Sequence, residues 1–102
     1  MSEFKFKITT GKPVSFQLGQ LFATPGALAA LERAGQSPSE FIDRHLRNDW
    51  GEVCKEDWLA NDQALKEGTR LLSAYRTAKQ ERIWIITEWD RSVTTILLPD
   101  EY

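Results

Sequence analysis

The sequence predicts an α+β domain, and three observations carry that prediction. Apolar residues recur at helical spacing between Thr24 and Gly68, in segments bounded by capping residues. Beyond Gly68 the texture changes to three short runs dense in β-formers, separated by polar connectors. Ahead of both, Phe4, Phe6 and Ile8 alternate with Lys5, Lys7 and Thr9, the period-two pattern of a strand with one wet face. The expected architecture is one domain over residues 1–102: three helices on an antiparallel sheet, with a C-terminal three-stranded meander and an added N-terminal strand.

The N-terminal alternation resumes at Val14, Phe16 and Leu18, stops at Gly19, and is followed by Leu21 and Phe22, which reads as a bent or bulged strand. Thr24-Pro25 then starts the first helix, expected over residues 25–34. The threonine can accept an orphan amide, the proline sits where its missing donor costs nothing, and Gly35 can turn left-handed after the end. Ser37-Pro38-Ser39-Glu40 predicts a reciprocal capping box for a second helix over residues 38–48, with Phe41, Ile42, His45 and Leu46 on its apolar face. A third helix over residues 56–67 has Glu56 and Asp57 in its first turn and Lys66 near its end, matching the helix dipole. Its thinner stripe of Trp58, Leu59 and Leu65 predicts partial exposure. Strands follow over residues 70–77, 82–89 and 92–98, and their short connectors predict antiparallel neighbours. In the middle strand Ile83 and Ile85 point one way while Trp84 and Ile86 point the other, so both faces there are apolar.

Composition narrows the function. The chain has 102 residues, 41% hydrophobic and 27% charged, within the range of folded globular proteins. Thirteen Lys and Arg against fifteen Asp and Glu give a net charge of -2, without the basic excess that phosphate backbones attract, so nucleic acid is not the expected partner. Apolar runs such as residues 28–31 fall far short of the roughly 20 residues needed to span a bilayer. No membrane partner is expected, and a start without an apolar signal core predicts a cytoplasmic protein. A single cysteine cannot close an internal disulfide, and a single histidine cannot by itself build a typical structural zinc site. No metal and no cofactor are expected.

The residues that could carry chemistry are few. His45 borders the apolar face of the second helix, where it reads as a partly buried imidazole bonded to a backbone carbonyl or to Asp49. The chemical alternative is a Cys54–His45 nucleophile pair oriented by Asn48 or Asp49, which nothing in the spacing demands. Trp50, Trp58 and Trp89 each stand beside Asp or Glu. Trp50, next to Gly51, reads as a core plug, yet any two of these rings exposed together would anchor a protein partner. The three are the candidate partner-binding residues. Arg70, Arg76, Arg82 and Arg91 belong to the strand region, and arginines on a sheet can stabilise the charge that develops in RNA cleavage. Glu81, Glu88 and Asp90 are interleaved with them, so cross-strand salt pairing explains the mixture without invoking RNA, and a charged solvated face is the preferred reading. His45, Arg76 and Arg91 are the candidate polar or phosphate contacts, and no residue is assigned a catalytic role.

Several blocks resemble, in order, a family of short proteins of bacterial plasmids and integrative elements described as plasmid-related. They are Leu18-Gly19-Gln20-Leu21-Phe22-Ala23-Thr24-Pro25-Gly26-Ala27-Leu28, His45-Leu46 with Asp49-Trp50-Gly51, Arg70-Leu71-Leu72-Ser73-Ala74-Tyr75-Arg76, and Ile83-Trp84-Ile85-Ile86-Thr87-Glu88 with Asp90-Arg91-Ser92-Val93-Thr94-Thr95-Ile96-Leu97-Leu98-Pro99. The resemblance covers roughly residues 18–102 and implies a small accessory protein of mobile DNA; it carries over no catalytic residue. The expected function is therefore a non-enzymatic interaction or regulatory module acting through a protein partner. The alternative is a toxin-like RNA-cleaving enzyme using arginines on the sheet, and direct DNA binding ranks third. Homodimerisation is a further expectation, from an edge left open by the final strand and from the second apolar face.

Overall fold

The computed structural model describes residues 2–3 and 16–102. The alternation over residues 4–8 and at Val14 lies outside the described residues. The fold is α+β. In chain order it comprises β1 (Ser2–Glu3), β2 (Gln20–Ala23), α1 (Pro25–Ala34), α2 (Pro38–Leu46), α3 (Lys55–Glu67), β3 (Leu71–Arg76), β4 (Arg82–Thr87), β5 (Val93–Leu97) and a 3-10 turn at Pro99–Glu101. Among the described residues no helix is long and apolar enough to cross a membrane.

The strands form one five-stranded sheet in the order β1-β2-β5-β4-β3. The expected meander is present, since β3 pairs β4 and β4 pairs β5 antiparallel. An N-terminal strand is added as well, with β1 antiparallel to β2 at the far edge. The sheet is nevertheless mixed, because β2 runs parallel to β5. Short connectors dictate direction only for strands adjacent in sequence, and between β2 and β5 the chain makes a long excursion through all three helices and two strands. That insertion also removes the open edge anticipated at the final strand: β5 lies in the middle, between β2 and β4.

Sheet parity decides the layers. Leu71, Ser73 and Tyr75 of β3 align with Thr87, Ile85 and Ile83 of β4, and the rows continue through Thr94 and Ile96 of β5 to Leu21 and Ala23 of β2. All of these are buried, and Ala27 and Leu31 of α1 with Phe41, Ile42 and Leu46 of α2 pack on them to form the main core. Burying each such aliphatic or aromatic side chain contributes about 1.5–3 kcal/mol. The opposite parity, Leu72, Ala74 and Arg76 with Arg82, Trp84 and Ile86, forms the outer face.

Local chemistry sets the helix ends. Thr24 caps α1 by accepting the Ala27 amide at 3.1 Å, and Gly35 closes it in the left-handed region. At α2 the capping box does not form: the Ser37 hydroxyl accepts from the Ser39 amide, and the Glu40 carboxylate takes the Gln36 side-chain amide instead. The helix ends at Leu46, earlier than residue 48, because Asn48 adopts a positive φ of 64°. α3 is as thinly buried as its stripe implies, with Leu59 58% exposed.

β3 is an edge strand, yet its outward backbone groups are occupied. The Asn61 side chain of α3 donates to the Leu72 carbonyl at 2.7 Å and accepts from the Leu72 amide at 3.1 Å. One pleat further on, the Ala74 amide donates to the Trp50 carbonyl and the Glu52 amide donates to the Ala74 carbonyl. The chain can lie this close to β3 because Gly51 has a φ of +77°, and a Cβ there would collide with the Ala74 carbonyl. Covering an edge in this way blocks pairing with another chain.

Candidate functional site

Burial sorts the candidates first. His45 is fully buried, and both ring nitrogens are engaged: Nδ1 lies 2.5 Å from the Ser73 hydroxyl and Nε2 lies 2.9 Å from the Thr87 hydroxyl. Thr87 in turn contacts the Thr94 hydroxyl at 2.8 Å, and Thr94 donates to the Leu18 carbonyl at 2.8 Å. The carbonyl can only accept, so the connectivity fixes every proton. Thr94 donates to Leu18, Thr87 to Thr94, His45 Nε2–H to Thr87, and Ser73 to Nδ1. The imidazole is thus a neutral relay joining α2, β3, β4, β5 and the segment before β2. Burial, with the neighbouring Arg91 guanidinium second, pushes its pKa down to about 3. Phe16 and Trp50 pack edge-on against the ring at centroid distances of 5.2 and 5.6 Å and keep water away.

This arrangement corrects the expected partly buried ring bonded to a backbone carbonyl or Asp49: the imidazole is fully buried and its partners are the Ser73 and Thr87 hydroxyls. His45 is not a surface contact for phosphate or any other ligand. It does not activate Cys54 either, because its nitrogens are taken by Ser73 and Thr87 while the thiol is exposed ahead of α3. Trp50 is likewise fully buried, with its indole N–H donated to the Asp62 carboxylate at 3.0 Å. It is the core plug and offers no partner a surface.

Arg91 is also committed to structure. Its guanidinium donates to the Thr69 carbonyl at 2.6 Å, the Ala64 carbonyl at 3.0 Å and the Glu88 carbonyl at 3.1 Å. The first two lie where α3 ends, so the cation satisfies orphan carbonyls and the negative end of the helix dipole. A phosphate contact would have to break this clamp. Arg76 is exposed and paired with Glu52 at 2.8 Å. Trp58 is half-buried against the Trp50, Ala64 and Leu71 cluster, whereas Trp89, in the turn after β4, is 66% exposed. The structure places no aromatic contact between Trp58 and Trp89 among the described residues.

Among the described residues, what remains open is the outer face. A groove of about 230 Å³ lies between the start of α3 and strands β3 and β4, lined by Glu52, Val53, Cys54, Leu72, Arg82 and Trp84 among others. Its lining mixes apolar side chains, Val53, Leu72 and Trp84, with the charged Glu52, Asp57 and Arg82. At the rim Arg82 stands opposite Arg76 in the strand register, and among the described residues Arg82 forms no hydrogen bond or ion pair. Trp84 is half-buried and meets the Tyr102 ring edge-on at 5.8 Å. Sequence patterning placed Arg82 in a strand and Trp84 on the face opposite Ile83 and Ile85, but it could not show which face is outer or that α3 stops short of covering them. Among the described residues no three His, Cys, Asp or Glu side chains converge to hold a metal ion.

No protein-family model matches the chain, and no curated protein or solved structure is significantly similar to it.

Proposed function

We propose that the protein is a non-enzymatic interaction module that takes a protein partner in the groove on the outer face of its sheet. The observation that carries this reading is the contrast between the faces. On the inner face the histidine is sealed within a satisfied relay, while the outer face keeps a groove with apolar and charged walls, a half-buried tryptophan and an arginine that forms no ion pair among the described residues. Such a surface suits a partner that sets an apolar or aromatic side chain between Val53, Leu72 and Trp84 and a carboxylate against Arg82. The cytoplasmic setting expected from the N-terminal sequence belongs to the same reading, and the mobile-DNA context rests on the resemblance of residues 18–102 alone.

The second reading, RNA cleavage by sheet arginines, keeps one observation in its favour: Arg76 and Arg82 share the outer face as register partners. Affinity capture from the native host separates the two. Interaction through the groove predicts a co-purifying protein that is lost with Arg82→Glu or Val53→Asp. Retention of every captured protein in both variants, or growth arrest on expression that Arg76→Ala relieves, would overturn it. Loss with Trp89→Ala alone would move the contact to the other end of β4. Light scattering across micromolar concentrations identifies the case in which the partner is a second copy of the chain.

A further inference from the structure

Residues 99–102 leave β5 in a 3-10 turn and are held at two separate points. At the first, the Glu101 carboxylate accepts the Thr24 hydroxyl at 2.6 Å and the Leu98 amide at 2.7 Å. α1 has no acidic residue in its own first turn, and the missing side chain of Gly26 leaves the space that the Glu101 carboxylate fills. A carboxylate distant in sequence therefore supplies the negative charge that the start of this helix favours. At the second point the Tyr102 ring packs edge-on against Trp84, while the Arg70 guanidinium lies 5.5 Å over that ring and donates to its hydroxyl. Both residues are solvent-exposed, Tyr102 by 68%. Polar contacts at the surface hold the segment with little buried area, which makes its local opening inexpensive.

We infer that residues 99–102 form a releasable strap, latched on α1 by Glu101 and holding Tyr102 against Trp84 beside the groove, whose release frees the rest of the Trp84 ring for a partner seated there. This regulation rests on reading the groove as the docking surface. Strap and groove share Trp84, so a partner that needs more of its ring than the groove presents binds more tightly when the latch is loosened, and in turn loosens the latch. The hydrogen bonds from Thr24 and the backbone also hold the Glu101 carboxyl below its ordinary pKa. The latch therefore stays ionised under mild acid, and competition is what opens it.

The test uses the isolated protein, with ¹⁵N-labelled tryptophan indoles observed by NMR beside a soluble paramagnetic probe. In Glu101→Ala and in Tyr102→Ala the probe-induced relaxation of the Trp84 indole rises by about twofold or more as the open population grows, while the Trp50 signal stays in place and reports an intact core. Equal relaxation of Trp84 in the wild type and both variants would overturn the strap. No partner enters this measurement, so the strap stands or falls separately from the groove reading, whose own failure appears as capture insensitive to Arg82→Glu.

Discussion

His45 illustrates how one residue can be legible in type and hidden in role. Its spacing from Phe41 and Ile42 put it beside an apolar face, and the reading of a partly buried imidazole bonded to a backbone carbonyl or Asp49 followed; the ring is instead fully buried between two side-chain hydroxyls. The partners, Ser73 and Thr87, lie 28 and 42 positions away, and only the sheet register aligns them. The relay can be tested by removing its middle. Thr87→Val leaves the Nε2–H without an acceptor and the Thr94 oxygen without a donor, and should cost about 2–4 kcal/mol in urea denaturation. Thr95→Val, on the outer face, should change stability by less than about 0.5 kcal/mol. The depressed pKa of His45 also gives a pH dependence. The unfolded chain takes up a proton near pH 6.5 that the folded chain refuses until about pH 3, so the stabilisation is complete above 6.5 and lost as pH falls. Between pH 6 and 4.5 the loss should be about 1.4 kcal/mol per pH unit. His45→Gln, with no titrating ring, should flatten that slope.

Helix ends written in local residues were readable: Thr24-Pro25 before α1, and Gly35 and Gly68 at the ends of α1 and α3, act as their chemistry requires. Ends decided by distant partners were not. The Ser37–Glu40 box loses to a bond from Gln36, whose side-chain oxygen is held by the distant Ala78 amide, and the cover over β3 depends on Asn61, a residue that looked like an ordinary polar position on α3. The parallel β2–β5 pairing was hidden for the same reason, since nothing local at either strand specifies the other. Asn61→Ala should uncover the Leu72 backbone groups at a cost of about 1–3 kcal/mol. It should also produce self-association that rises with protein concentration, visible by light scattering, because an uncovered edge strand can pair with another copy.

At the scale of the molecule, the fold separates two tasks. Helices α1 and α2 and the inner face of the sheet enclose the polar relay, and the outer face holds the groove with the strap beside it. Of the three tryptophans singled out as partner anchors, one became core, one is half-buried and one is exposed, while the tryptophan at the groove is Trp84. Alternation alone gave Trp84 its direction; its exposure depends on where α3 runs, a tertiary property that the sequence pattern does not contain. The most direct test of the central claim is quantitative affinity capture from the native host, comparing the wild-type protein with Arg82→Glu, both first shown to unfold at the same temperature. The account predicts one protein partner captured by the wild type and lost with Arg82→Glu. Equal recovery of that partner by both proteins would contradict it.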